Sequence, residues 1–125
     1  MKILIADDKL HFRRELRRLI EQHEDWNVCA EAEDGLEAVY QSKQLKPDLI
    51  VLDLAMPELN GFEAAAQISK ALPSVPILML TLYASPMVEK KAEKVGVQRV
   101  ISKSTTSMLV PAMEEAFAQS SRRAA

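Results

Sequence analysis

Short apolar runs alternate along the chain with longer segments in which apolar residues recur at helical spacing. The runs predict five strands, at residues 2–6, 27–32, 48–53, 76–80 and 98–102. The amphipathic segments predict five helices, at residues 10–22, 35–45, 61–71, 85–95 and 105–119. This order is typical of repeated βα units around a parallel sheet. The third run, DLIVLD, is almost entirely apolar, which favours a strand covered on both faces.

Polar side chains stand where these apolar runs end. Asp7 and Asp8 follow the first run, Asp53 ends the third, and Thr81 and Lys103 follow the fourth and fifth. Open parallel sheets bind ligands outside the carboxyl ends of their strands, so these residues are expected in one crevice. Each residue alone has a simpler interpretation as a turn former, a helix cap or a surface charge. Their shared position at the same ends of the strands favours a site.

The chemistry of such a crevice is that of a divalent cation and a phosphoryl group. Three neighbouring aspartates repel one another, and Mg²⁺, which prefers oxygen ligands, relieves that repulsion. Asp8 and Asp53 are the predicted direct ligands, Asp7 binds directly or through water, and the Ala55 carbonyl adds a backbone oxygen. Lys103 supplies a fixed positive charge for a phosphoryl oxygen or for the Asp53 carboxylate.

Asp53 is the predicted nucleophile of this crevice. A carboxylate can attack phosphorus to give an acyl phosphate, while the protein positions the groups and neutralises the phosphoryl oxygens. Asp53 lies centrally in strand order and is followed by the Pro/Gly-containing loop LAMPELNG. Thr81 offers a hydroxyl donor to a bound phosphoryl oxygen.

Length, net charge and hydropathy limit the number of domains, the partners and the compartment that we expect for this protein. A chain of 125 residues predicts one domain, and a net charge of −2 gives no general attraction to nucleic acid or to an anionic membrane. No apolar run approaches the ~20 residues needed to span a bilayer, and no signal peptide is recognised, so we expect a cytoplasmic protein with no membrane partner.

The first predicted helix carries four arginines, at positions 13, 14, 17 and 18. They are predicted to form a solvated face paired with Glu15, Glu21 and Glu24, rather than a nucleic-acid patch, because the chain is acidic overall.

At these residues the chain closely resembles the receiver domains of two-component response regulators, the CheY-like family. The resemblance extends to residue ~119 and rests on the acidic pair Asp7-Asp8, the stretch VLDLAMPELNG around Asp53, Thr81 and Lys103. The stretch from ILIADDKLHFRRELRRL to AEAEDGLEAV is similar to receivers of NarL/FixJ-type regulators, which usually carry a LuxR-type helix-turn-helix domain.

The resemblance implies a flavodoxin-like (βα)₅ fold, a doubly wound α/β sandwich with strand order 2-1-3-4-5 and helices on both faces. It also implies a receiver domain over residues 1–119. Residues 120–125 would be a tail or the start of a linker to an output domain absent from this chain.

The resemblance further implies a function. Asp53 would accept a phosphoryl group from a phosphohistidine on a sensor histidine kinase, with Mg²⁺ or Mn²⁺ held by Asp7, Asp8 and Asp53. Thr81 and Lys103 would contact that group and report it to the surface. The chain would catalyse only its own phosphorylation and dephosphorylation. Phosphorylation would shift a homodimerisation equilibrium, and DNA would be bound only by a separate output domain.

Two departures from the family pattern bear on the switch. Val100 stands where the family usually has an aromatic switch residue, and Leu82 stands where a small residue is usual. Tyr83 is either a substitute reporter or a half-exposed loop aromatic. Leu82 and Val100 support an alternative, a phosphorylation-independent interaction module on the same fold. A haloacid-dehalogenase-like phosphatase is disfavoured because Ala55 replaces its second aspartate.

Overall fold

The sheet and its helices follow the predicted alternation closely. The computed structural model describes the backbone of residues 1–124 and the side chains of residues 1–119. The strands are β1 (Lys2–Ala6), β2 (Asn27–Ala32), β3 (Leu49–Asp53), β4 (Ile77–Thr81) and β5 (Arg99–Ser102). The helices are α1 (Leu10–Glu21), α2 (Gly35–Leu45), α3 (Gly61–Ala71), α4 (Pro86–Lys94) and α5 (Leu109–Ala124), with a 3₁₀ helix at Lys103–Met108.

All neighbouring strands are parallel, and the sheet order is β2-β1-β3-β4-β5. The predicted flavodoxin-like topology is therefore confirmed. Every residue of β3 is buried, as its apolar sequence predicted. Because side chains alternate along a strand, Ile3 and Ile5 join one core and Leu4 and Ala6 join the other.

Each face of the sheet has its own hydrophobic core. The first contains Leu16 and Ile20 of α1 together with Met113 of α5. The second contains residues of the other three helices, namely Ala38, Ala64, Ala65, Ile68 and Ala92. Helices on both faces leave the two ends of the sheet open, and the carboxyl end is where the loops before the helices converge.

Local capping interactions fix three of those helix starts. The Asp34 side chain accepts the Glu37 N–H at α2, and the Ser85 hydroxyl accepts the Val88 N–H at α4. Asn60 forms a full capping box with the third residue of α3. These caps hold the loops after β2, β3 and β4 in defined positions.

The start of α5 was predicted wrongly. A 3₁₀ helix occupies Lys103–Met108, and Thr105 has non-helical backbone angles (φ −130°, ψ 56°), so α5 begins only at Leu109. The Ser102 hydroxyl accepts the Ser104 N–H and starts this tighter turn. The backbone of α5 continues to Ala124, through most of the predicted tail, while Ala125 lies outside the described residues. The domain division at residue 119 stays a prediction.

No helix within residues 1–124 is both long enough and apolar enough to cross a membrane.

Candidate functional site

Three of the predicted site residues meet at the carboxyl end of the sheet. Asp7 follows β1, Asp53 ends β3 and Lys103 follows β5. The Lys103 Nζ lies 2.7 Å from Asp7 Oδ2 and 3.2 Å from Asp53 Oδ2. One ammonium therefore bridges two carboxylates that come from different strands. The contact with Asp53 is one that the sequence allowed for, whereas the contact with Asp7 was not predicted.

Asp8 completes an acidic cluster. Asp7, Asp8 and Asp53 each offer one carboxylate oxygen, and these oxygens lie within 4.8 Å of one another. Asp7 and Asp53 are buried, whereas Asp8 is exposed. Oxygen donors of this kind fit Mg²⁺, which binds through one or two carboxylates and keeps several waters. The exposed Asp8 leaves one side of the cluster open to such waters.

The Asp53 carboxyl is held in an unfavourable environment for its charge. Burial and the neighbouring Asp7 carboxylate raise its pKa to about 6, although Lys103 and a hydrogen bond from the Ala55 backbone act in the opposite direction. A carboxylate that is under-neutralised in this way favours a further positive charge beside it.

Lys103 remains a cation in this crevice. Burial works to lower its pKa, but the hydrogen bond to Asp7 and the charges of Asp53 and Asp7 outweigh burial and raise the pKa. Its Nζ also lies 4.4 Å from the centroid of the Phe12 ring, which stabilises a cation through the ring face.

The Asp7 peptide is fixed on every side. Its N–H donates to the Ala32 carbonyl at 3.0 Å, and its own carbonyl accepts from Arg13 Nη1 at 2.6 Å. Its Oδ1 accepts the Lys9 N–H at 2.8 Å. Lys9 is the N-cap of α1 and makes no side-chain cap, so neither aspartate serves as the simple helix cap that a sequence pattern would also allow.

A small cavity of about 150 Å³ opens above the acidic cluster. Its lining comprises Asp8, Lys9, Asp53, Ala55, Leu82, Tyr83 and Lys103. Leu82 and Tyr83 are 67% and 64% exposed and stand at its mouth. Tyr83 is thus an exposed loop aromatic, more exposed than the half-exposed ring that the sequence suggested.

Two predicted switch residues do not line this cavity. Thr81 is fully buried, and its Oγ1 accepts the Tyr83 N–H at 3.0 Å. Val100 is half-buried on β5, where it lines a separate groove of about 510 Å³ between α4 and β5. The structure therefore brings together the three aspartates, Ala55 and Lys103. Thr81 and Val100 lie outside the lining of the cavity.

The prediction of a fully solvated arginine face was wrong at one position. Arg13 is only 4% exposed, while Arg17 does form the predicted pair with Glu21. The signal was present in the sequence, because Arg13 falls three residues before Leu16 and seven before Ile20, on the apolar stripe of the helix. An arginine on such a stripe predicts a buried, paired guanidinium.

Comparison with known families agrees with this geometry. The response regulator receiver domain model matches residues 3–113. The chain is 38% identical to chemotaxis protein CheY of Listeria monocytogenes over 103 residues, covering 82% of this chain and 86% of that protein. It is 39% identical to transcriptional regulatory protein YdfI of Bacillus subtilis, covering 85% of this chain but 49% of YdfI.

Solved structures show the same likeness. A two-component response regulator of the LuxR family from Aurantimonas sp. superposes with a TM-score of 0.90 at 33% identity, over 94% of this chain and 85% of that chain. The response regulator domain of Thermotoga maritima CheB gives a TM-score of 0.83 at 32% identity, over 96% and 95% of the two chains.

Proposed function

This chain belongs to the response regulator receiver domain family, and we propose that it is a phosphorylatable switch whose acceptor is Asp53. Receiver domains of two-component systems are signalling domains rather than classical enzymes. The observation that carries the proposal is the buried Asp53 carboxylate on the cavity wall, beside an acidic pair and a bridging ammonium.

The proposed reaction is transfer from a phosphohistidine of a sensor histidine kinase. An Asp53 carboxylate oxygen attacks phosphorus, the P–N bond to the imidazole breaks, and a P–O bond forms to give an acyl phosphate. Asp7, Asp8 and Asp53, with the Ala55 carbonyl, are the residues that would hold Mg²⁺ or Mn²⁺. When bound, that ion neutralises carboxylate and phosphoryl oxygens.

Lys103 is placed to exchange partners during this reaction. Its Nζ already contacts both Asp7 and Asp53, at 2.7 and 3.2 Å. When Asp53 becomes an acyl phosphate, the ammonium keeps Asp7 and turns to a phosphoryl oxygen in place of the lost carboxylate charge. This supports a role for Lys103 in stabilising the phosphorylated state.

Thr81 would couple the phosphoryl group to the surface. Its Oγ1 accepts the Tyr83 N–H in this structure and keeps its own O–H to donate. A hydrogen bond from this hydroxyl to a phosphoryl oxygen would therefore link the loop after β4 to the phosphorylated Asp53. That loop carries the exposed Leu82 and Tyr83. Val100 has no ring to turn inward, so we propose that this loop carries the signal.

The output is proposed to lie outside this chain. The chain spans about half the length of curated transcriptional regulators that it matches, such as YdfI at 49%. We propose that a DNA-binding domain follows the receiver, as in NarL/FixJ-type proteins, and that phosphorylation shifts a homodimer equilibrium that this domain senses.

The first test is intact mass after acetyl phosphate and Mg²⁺. We expect wild type and the control Asp48→Asn to gain one phosphoryl group, and Asp53→Asn to gain none. Absence of the adduct from wild type, under conditions that preserve acyl phosphates, would refute the switch and favour the phosphorylation-independent interaction module. A partial adduct on Asp53→Asn would move the acceptor to another residue.

A further inference from the structure

Arg13 is a buried residue whose guanidinium contacts the backbone of Asp7, the first residue of the acidic pair Asp7-Asp8. It is 4% exposed and sits in the first turns of α1. Its Nη1 donates to the Asp7 carbonyl at 2.6 Å, and its Nε donates to Glu31 Oε1 at 3.1 Å. Its Nη2 lies 3.6 Å from Glu33 Oε1. A single side chain thus ties the end of β1 to the end of β2.

The carbonyl that Arg13 holds belongs to the peptide that links Asp7 to Asp8. Asp7 has several other anchors, through its N–H and both carboxylate oxygens. Within residues 1–119, by contrast, no hydrogen bond to the exposed Asp8 carboxylate is found. The orientation of the Asp7–Asp8 peptide plane therefore sets where the Asp8 side chain begins, and Arg13 fixes that plane.

A guanidinium suits this task because its donors are spread in a rigid fork and it keeps its charge when buried. The fork bonds a neutral carbonyl on one side and a carboxylate on another. Glu31 and Glu33 also offset the positive charge, which would otherwise repel a cation bound by Asp7 and Asp8.

Arg17 is a second arginine of α1 that shares the partner Glu31 with Arg13. Its remaining donors reach Glu21 and the Val28 carbonyl. Among residues 1–119, none of its hydrogen bonds or ion pairs goes to Asp7 or Asp8. The two arginines therefore share a partner and differ in whether they touch Asp7.

We propose that Arg13 is a positioning residue for divalent-cation binding, which acts by orienting the Asp7–Asp8 peptide so that Asp8 faces the cavity. The inference rests on the proposed Mg²⁺ site. Partners behind metal ligands typically change metal affinity by about 10- to 100-fold when they are removed.

The test is calorimetric titration with Mg²⁺ of wild type, Arg13→Met, Arg13→Lys and Arg17→Met. We expect Arg13→Met to bind about tenfold more weakly. Arg13→Lys keeps the positive charge but lacks the spread donors of the guanidinium, so it should fall between Arg13→Met and wild type. Arg17→Met should lose stability to urea and bind Mg²⁺ as wild type does.

Phosphorylation gives a second readout. The Mg²⁺ concentration for half-maximal labelling of Arg13→Met by acetyl phosphate should rise about tenfold, with labelling restored at saturating Mg²⁺. If wild type binds no Mg²⁺, the proposed function itself fails. If wild type binds and any folded Arg13 variant binds equally well, or Arg17→Met weakens binding as much, only the role of Arg13 is overturned. Should Arg13→Met not fold, Arg13→Lys decides the outcome.

Discussion

The charged form of Asp53 is disfavoured by burial, and the neighbouring groups compensate for this only in part. Its side chain is nearly inaccessible, Asp7 adds a second negative charge, and a single ammonium serves both. The pKa of Asp53 consequently rises to about 6. The folded protein therefore binds a proton at Asp53 more tightly than the unfolded chain does. Above a pH of about 6 that proton is lost, and the buried charge lowers the free energy of unfolding of the metal-free protein.

Asp53→Asn should therefore stabilise the metal-free protein at pH 7.5. The folded pKa of about 6 exceeds the ordinary value of 3.8, so wild type loses stability as pH rises between these values and is level above them. We expect a gain of about 1–2 kcal/mol in urea unfolding with EDTA, after allowance for solvent at the open crevice. At pH 4 the two proteins should differ little. A less stable Asp53→Asn at pH 7.5 would show that the ion pair with Lys103 outweighs burial.

Leu82 is an exposed residue on the wall of the cavity and contributes little to the core. Its side chain is 67% exposed and lines the cavity above Asp53. Leu82→Ala should speed labelling by acetyl phosphate several-fold and change stability by no more than about 0.5 kcal/mol. Met87→Ala, at a 71% exposed residue of α4 away from the cavity, is the control and should leave the rate unchanged. Equal rates for Leu82→Ala and wild type would mean that the mouth does not limit access.

The sequence identified residues whose position follows from strand ends, and missed contacts that depend on rotamers. Asp7, Asp53 and Lys103 meet because parallel strands end at one edge. The hydrogen bond between the Thr81 hydroxyl and the Tyr83 N–H is a turn contact that the sequence allows, but whether it forms depends on the side-chain torsion of Thr81.

At the scale of elements, α3 approaches the back of Asp53 more closely than any side chain would allow. A Cβ added at Gly61 would lie 2.5 Å from the Asp53 carbonyl oxygen and 2.8 Å from the Leu54 Cα. The Gly61 N–H also donates to the Leu54 carbonyl at 2.7 Å. The start of α3 therefore supports the backbone that carries the acceptor.

Gly61→Ala should disturb both the fold and the site. Forcing α3 away from β3 should cost about 1–3 kcal/mol and slow phosphorylation of Asp53. Gly96→Ala is the matched control, because Gly96 has φ +93° and an added Cβ would lie 2.6 Å from the Ser69 Cβ. It should lose stability as well, yet label at the wild-type rate. Urea midpoints and labelling rates, measured together, separate the two effects. Parallel losses of rate in both variants would mean that instability alone slows the reaction.

The helices differed in how well their starts could be predicted. Gly61 and Pro86 begin α3 and α4 directly after capping residues, and both starts were predicted to within one residue. The start of α5 was missed because KSTTSM is polar and lacks apolar periodicity, while the Ser102 hydroxyl supports a 3₁₀ turn that has no comparable sequence signature.

For the whole molecule, the topology was predictable because several independent features of the sequence favour the same fold. Apolar runs make buried strands, alternation within them feeds two cores, and amphipathic helices cover both faces. The arginine network across α1 and β2 was not predictable from charge balance, since the pairing of Arg13 with Glu31 depends on side-chain torsions that bring the guanidinium to this carboxylate.

Binding of Mg²⁺ should stabilise the entire fold, because the three aspartates come from two separate strand ends that unfold together. A ligand bound only by the folded state at about 100 times its Kd adds about 2.7 kcal/mol, or roughly 10 °C in Tm for a domain of this size. Differential scanning calorimetry should show this gain in wild type and in Asp25→Asn, an exposed aspartate outside the cluster. Asp8→Asn should lose most of the gain, and its metal-free Tm should be no lower than that of wild type. Asp8 is exposed, no hydrogen bond to its side chain is found within residues 1–119, and its carboxylate repels those of Asp7 and Asp53. An equal Mg²⁺ response in Asp8→Asn would place the cation elsewhere on the surface.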